Sequence, residues 1–268
     1  MSDYIVIKIG GSIISDGTYT KVLDDIKRLG LKGFVLVHGG GNEVSRVQSA
    51  MGKEPVFVTS PEGIRSRYTD LETLEIYTMV MRKIGTKIAS YLNSLGYRAV
   101  NLSGVDASFI RAERKKKLII IDERGRKRII DGGFTGRVRE VDPSLLLLML
   151  EKGYVPVVSP IASGYEGEML NIDGDRGASA VASALAASKL IIFTNVDGVI
   201  LGEKVVEKLS LQEAKETLKR VGPGMDKKLI ACIEAVEKGV QEGIISNGRV
   251  DAPVERALSG IGTRVTRE

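Results

Sequence analysis

A chain of 268 residues with 43% hydrophobic content can bury a large core, either as one α/β unit or as two lobes. Thirty-nine Lys and Arg against 34 Asp and Glu leave a mild formal charge of +5, and 5% aromatic residues with no Trp argue against a base-stacking surface. One cysteine, Cys232, cannot close an internal disulfide, no apolar run nears the ~20 residues that span a bilayer, and the first residues run into a strand rather than a leader, so a cytoplasmic protein is expected.

In chain order, short apolar runs alternate with amphipathic stretches of helical length. A strand over Tyr4 to Ile9 precedes a helix over Thr20 to Leu29, a strand over Phe34 to Val37, a helix over Glu43 to Met51 and a long helix over Leu71 to Leu95. A strand over Arg98 to Leu102 follows. This rhythm predicts a mainly parallel sheet with crossover helices. Ile110 to Ile130 interrupts it: two apolar patches flank the turn Asp122-Glu123-Arg124-Gly125 and read as a hairpin. Alternation resumes with a helix over Pro143 to Lys152, a strand over Val155 to Ser159, a hairpin over Ile161 to Leu170, a helix over Gly174 to Ala187 and a strand over Leu190 to Thr194. Helices over Leu211 to Arg220 and Asp226 to Glu242, a short strand at Ile244-Ile245 and a last one at Thr263 to Val265 complete the chain. No linker or internal repeat divides it.

Two strands end in glycine. Gly10-Gly11 and Gly39-Gly40-Gly41 each follow an apolar run, where glycine brings backbone amides close to a ligand or takes a positive φ, and the helix that follows adds free N–H groups and a positive dipole end. Such loops suit anions. Neither has the spacing of a dinucleotide fingerprint, and no P-loop is present. Four further groups carry chemistry beside a plainer role. Asn171-Ile172-Asp173-Gly174-Asp175 opens an Ala-rich helix and serves equally as a cap. Thr194-Asn195-Val196-Asp197-Gly198 follows a strong strand, at the sheet edge where ligands bind, or is a plain turn. Gly224-Met225 leads into Lys227-Lys228 in a first helical turn, where two cations are unfavourable without an anion. Arg67 precedes the long helix and can fork onto a carboxylate or stay a surface charge.

Taken together, Lys-x-Gly-Gly (Lys8 to Gly11), His-Gly-Gly-Gly (His38 to Gly41), Arg-x-Thr-Asp (Arg67 to Asp70), Asn-x-x-x-Asp (Asn171 to Asp175), Thr-Asn-Val-Asp-Gly-Val (Thr194 to Val199) and Gly-Met-x-x-Lys (Gly224 to Lys228) resemble the amino acid kinase family, in its acetylglutamate kinase branch. The resemblance covers essentially the whole chain. It implies an open α/β/α sandwich in one domain, with about 1–170 holding the amino-acid substrate and about 171–268 the nucleotide. Lys8 and Lys228 would then flank the transferred phosphoryl group with Asp175 holding both. Gly40, Gly41, Asn42, Arg67 and Asn171 would bind the substrate, Arg67 at its α-carboxylate. Gly10, Gly11, Thr194, Asn195, Asp197, Gly198 and Met225 would bind ATP, whose phosphates would carry Mg²⁺ without a dedicated protein metal site. One departure stands out: Asp173 occupies a position where the family usually has Asn, and an extra carboxylate near two anions needs a cation beside it.

Phosphoryl transfer to a carboxylate makes an acyl phosphate, which a free amine on the same molecule would attack to close a five-membered ring. The amine must be blocked, by an acetyl group or by a protein. Between Arg111 and Arg139, eleven cations stand against four acids, a solvated basic hairpin by composition alone. Ala112 to Lys117, Gly132 to Arg137 and Arg67 to Asp70 are, however, similar to the branch whose substrate is attached to a small acidic amino-group carrier protein. That branch phosphorylates carrier-bound 2-aminoadipate in lysine biosynthesis and, in some organisms, carrier-bound glutamate in arginine biosynthesis. The resemblance makes Arg114, Lys115, Lys116, Lys117 and Arg137 the carrier-docking residues and the long helix a homodimer contact. N-acetylglutamate kinase is the alternative, and a basic nucleic-acid-binding protein a remote one. A noncatalytic amino-acid sensor of this fold would lack Lys8, Asp175 or Lys228, and all three are present. No nucleic acid or membrane partner is expected.

Overall fold

A computed structural model describes residues 4–268. An eight-stranded sheet runs in the order Lys208–Ser210, Thr263–Thr266, Glu242–Asn247, Lys189–Thr194, Ile5–Ile9, Phe34–His38, Val155–Ser159, Ala99–Ser103. Every neighbouring pair is parallel except Glu242–Asn247 with Thr263–Thr266. Ile5–Ile9 lies near the middle, between Phe34–His38 and Lys189–Thr194, and all five of its residues are buried. Chain connections diverge to opposite sides there, which opens a crevice beyond the carboxyl ends of the strands.

Period-two alternation along these strands builds two cores, one on each sheet face. Ile5, Ile7 and Ile9 pack with Phe34, Leu36, Ile191 and Phe193, beneath the Leu71–Ser94 helix. Val6 points the other way, with Val35, Val37, Leu190 and Ile192, against Ala178, Val181 and Ala182 of the Gly174–Ala184 helix and Leu229 and Val236 of the Met225–Glu237 helix. Lys8 shares the parity of Val6. The alternation that buries the core therefore aims this lysine at the N-terminus of the Gly174–Ala184 helix.

A second, four-stranded sheet of Met169–Asn171, Ile161–Ser163, Ile110–Arg114 and Gly136–Val141 leans over this crevice. Between its last two strands the expected basic hairpin forms, Lys117–Ile121 against Lys127–Asp131. Its neck is tight: a Cβ on Gly132 would sit 1.3 Å from the Lys115 carbonyl oxygen.

The boundaries differ from expectation in informative places. The helix expected to reach Glu242 ends at Glu237, because Gly239 takes φ +103° and completes a Schellman turn, with Gly239 N donating to Val236 O and Val240 N to Ala235 O. Glu242–Asn247 is instead a full strand, longer than the Ile244-Ile245 pair expected. The Phe57–Thr59 and Arg65–Arg67 hairpin, the Lys208–Ser210 edge strand and the Pro253–Leu258 helix carry too little periodicity to be read in advance. No helix among the described residues is long and apolar enough to cross a membrane.

Candidate active site

At the base of the crevice Lys8 Nζ lies 2.5 Å from Asp175 Oδ1, with side chains only 6% and 7% exposed. Lys228 Nζ reaches the other oxygen, Oδ2, at 3.4 Å and donates to Gly224 O at 3.2 Å. Burial pushes the Asp175 carboxyl up, but the charges of Lys8 and Lys228 outweigh it and hold the group down at about 2. One carboxylate thus fixes two ammonium groups and leaves one net positive charge facing the crevice.

Both glycine loops overhang this group, and their glycines serve close approach rather than backbone twist. A Cβ on Gly39 would stand 2.9 Å from Gly11 N, one on Gly11 3.2 Å from Gly40 N, and one on Gly10 2.9 Å from Phe193 O. Gly40 is extended, at φ 162°. Side chains at Gly11 or Gly39 would part the two loops. Gly41 has no atom within 4 Å of its would-be Cβ and opens onto the crevice. The buried His38 braces the second loop, with Nδ1 3.0 Å from Gly39 O and Nε2 2.9 Å from Ser159 Oγ. Burial, with Lys8 nearby, pushes its imidazole down to about 4, so it is neutral at physiological pH.

Two cavities meet above the loops. The larger, about 1040 Å³, is lined by Lys8, Gly39 to Asn42, Arg67, Tyr77, Asn171, Asp173 and Asp175 and extends outward past Lys115 and Arg137. The smaller, about 490 Å³, is lined by Gly10, Gly11, Thr194, Asn195, Gly198, Gly224 and Met225. Gly11, Asn42 and Lys228 border both. Asp197, expected with the second group, accepts from Asn247 Nδ2 at 2.9 Å and does not line the cavity. Among the described residues no group of three or more His, Cys, Asp or Glu is placed to hold a metal ion.

Inside the larger cavity Arg67 has no carboxylate partner among the described residues. Its Nη1 donates to Gln48 Oε1 at 2.9 Å and its Nη2 to Gly41 O and Ser45 Oγ at 2.8 and 2.7 Å, while the guanidinium lies 4.9 Å from the Phe57 ring centre. A carboxylate can outcompete these neutral acceptors. Asn171 Nδ2 donates to Thr69 Oγ1 at 2.9 Å, leaving its carbonyl oxygen free. Asp173 caps the Gly174–Ala184 helix, accepting from the Asp175 and Arg176 amides, and Lys227 Nζ stands 3.6 Å away as the cation its charge requires.

Residues 3–247 match the amino acid kinase family. The chain belongs to that family. The LysW-aminoadipate/LysW-glutamate kinase of Sulfolobus acidocaldarius is 46% identical over 264 residues, 97% of this chain and 98% of that one. A Nitrosopumilus maritimus protein, to which the same activity is provisionally ascribed, is 51% identical over 257 residues, 95% of this chain and 96% of its own. Among solved structures, N-acetylglutamate synthase from Neisseria gonorrhoeae, complexed with coenzyme A and N-acetyl-glutamate, superposes with a TM-score of 0.81 at 25% identity, over 99% of this chain and 60% of that one.

On this amino acid kinase frame the five basic residues expected to form one docking face divide. Lys115 and Arg137 line the larger cavity. Arg114 stacks 4.2 Å from the Phe134 ring centre and donates to Gly133 O, Lys116 pairs with Glu166 at 2.7 Å, and Lys117 opens the exposed hairpin. Two contributors were not legible beforehand: Gln48, buried in an ordinary amphipathic helix, where it orients Arg67, and Tyr77, whose hydroxyl donates to Pro160 O at 3.2 Å on the cavity wall.

Proposed function

We propose that this chain transfers the γ-phosphoryl group of ATP to the side-chain carboxylate of 2-aminoadipate, and of glutamate, carried on a small acidic carrier protein. The reaction belongs to lysine biosynthesis and, with glutamate, to arginine biosynthesis. The observation that carries the reading is the junction of two cavities at a buried Lys8–Asp175–Lys228 group, with Arg67, paired to no carboxylate among the described residues, in the larger one. Similarity to LysW-aminoadipate/LysW-glutamate kinases over nearly the full chain supports the substrate class.

ATP occupies the smaller cavity and the acceptor the larger. The ionised acceptor carboxylate attacks the γ-phosphorus, the bond to the β-phosphate oxygen breaks, and ADP leaves. No proton moves, so no base is needed, and the neutral, buried His38 is a brace. Joining two anions requires holding them in line and offsetting equatorial charge. Lys8 from the acceptor side, Lys228 from the shared border and the amides of the two glycine loops do this, while Asp175 fixes the lysines before substrate arrives. Mg²⁺ would be held by the ATP phosphates rather than by a dedicated protein site and would offset charge on the leaving group. Arg67 and Asn171 orient the acceptor's α-carboxylate and amide.

The free cations Lys115 and Arg137 on the outer wall favour a carrier-linked substrate over free N-acetylglutamate. Exposed Leu71 and Met79 on the long helix support reading it as the contact for a second copy. An acyl-phosphate assay with ATP and carrier-linked aminoadipate, carrier-linked glutamate and N-acetylglutamate side by side tests the assignment. Carrier-linked substrates are expected to turn over preferentially; equal turnover of free N-acetylglutamate would refute the carrier assignment.

A further inference from the structure

The basic hairpin of Lys117–Ile121 and Lys127–Asp131 stands away from the main sheet as a two-stranded ribbon. Ile119 and Ile129 face each other across it and are 52% and 68% exposed. A two-stranded ribbon is marginal in water, and a bare strand edge is a template for another strand. The strand Phe57–Thr59 packs beside Lys117–Ile121, but among the described residues no strand pairs with the far side of Lys127–Asp131. The ladder decides which backbone groups face that side. Asp122 N donates to Arg126 O at 2.9 Å and Gly132 N to Lys116 O at 3.0 Å, so the hydrogen-bonded pairs of the hairpin fall at its even-numbered residues. The N–H and C=O groups of Lys127, Ile129 and Asp131 therefore turn outward.

This edge is complementary to itself. In an antiparallel pairing about a two-fold axis at Ile129, the outward groups of Ile129 meet their own copies, and at both ends Lys127 of one chain stands opposite Asp131 of the other. That register closes about six backbone hydrogen bonds, sets opposite charges face to face twice, and brings the two Ile129 side chains together on one face. A lysine on an edge strand ordinarily repels a second strand. Here Arg126 and Arg128 are both offset by Asp122, at 3.1 and 3.0 Å, while Lys127 has no ion pair among the described residues. Asp131 uses one oxygen to accept from Gly133 N at 2.8 Å and keeps the other for a cation. We infer that Lys127–Asp131 pairs with the same strand of a second copy of this chain, in antiparallel register about Ile129, joining two hairpins into a four-stranded sheet. The contact shares no residue with the one proposed on the long helix, so the two together build assemblies larger than a dimer.

Sedimentation velocity over a concentration series reads the assembled mass. Lys127→Asp sets carboxylates against each other at both ends of the pairing and should lower that mass by about half or more, whether or not the long helix makes its own contact. Adding Asp131→Lys to the same chain restores opposite charges and should recover the parent mass. Ile129→Pro removes an outward donor that the hairpin's own ladder does not use, and it too should lower the mass while the melting temperature holds. Hydrogen exchange of a peptide covering Lys127 to Asp131 should slow with rising concentration in the parent and in the doubly reversed chain, and stay fast in Lys127→Asp. A mass that Lys127→Asp leaves unchanged, or that the second reversal fails to recover, would overturn the pairing. So would Ile129→Pro weakening the binding of the carrier protein with the mass unchanged, which would assign the edge to that partner instead.

Discussion

The same residue type does two different jobs at the two ends of the larger cavity. At the inner end, Lys8 and Lys228 are packed against Asp175 and nearly out of water; at the outer rim, Lys116 pairs with Glu166 with side chains 72% and 61% exposed. Water screens the second pair to a small fraction of its bare attraction. In the first, removing any partner strands a charge in a low-dielectric site. The inner group is fixed before substrate binds and can supply transition-state electrostatics. Between the two extremes stand Lys115 and Arg137, accessible and without an ion pair among the described residues, suited to recognition.

The largest effect expected from disturbing this contrast is that of Asp175→Ala, which leaves two lysines facing each other without their carboxylate. A loss of about 3 to 5 kcal/mol in denaturant-induced unfolding is expected, with activity abolished. Because the Asp175 carboxyl is depressed to about 2 from an ordinary 3.8, its contribution is fully present above the ordinary value and is lost as pH falls through about 2. Unfolding free energies of the parent and of Asp175→Asn should therefore converge between pH 4 and pH 2. Parallel curves over that window would remove the claim that the pair is strongly coupled.

A smaller effect separates the loop glycines. Gly39→Ala would drive a methyl group onto Gly11 N and push the loops apart, lowering both stability and kcat, whereas Gly41→Ala meets nothing and should fold and melt like the parent. Identical melting of the two variants would contradict the role of close approach. At the bottom of the scale, Lys116→Ala should leave the unfolding free energy unchanged within experimental error. A larger loss would mean that the rim is a structural element.

These distinctions were only partly legible in the sequence. Strand and helix alternation gave the sheet, since Ile5–Ile9, Phe34–His38 and Lys189–Thr194 are continuous apolar runs, as strands buried on both faces must be. Short exposed strands such as Phe57–Thr59 carry no such run. The grouping of Lys8, Asp175 and Lys228, three residues spread over 221 positions, followed from family resemblance; only the strand alternation that puts Lys8 beside Val6 could have suggested its direction. The glycine loops were legible as loops, but not the reason for glycine, which for Gly11 and Gly39 lies in the other loop. Lys115 and Lys116 are adjacent and alike in sequence. One faces the cavity and the other an exposed glutamate, because the chain bends at Lys116 between two strands.

The division of labour is tested most directly by steady-state kinetics of Lys228→Ala and of Lys115→Met/Arg137→Met with the same carrier-linked substrate. The first should lose about 10² to 10³ in kcat with little change in KM, as removal of transition-state charge stabilisation does, and the second should raise KM with kcat nearly kept. The opposite assignment, a pure KM effect at Lys228 or a kcat collapse at the outer wall, would contradict the account.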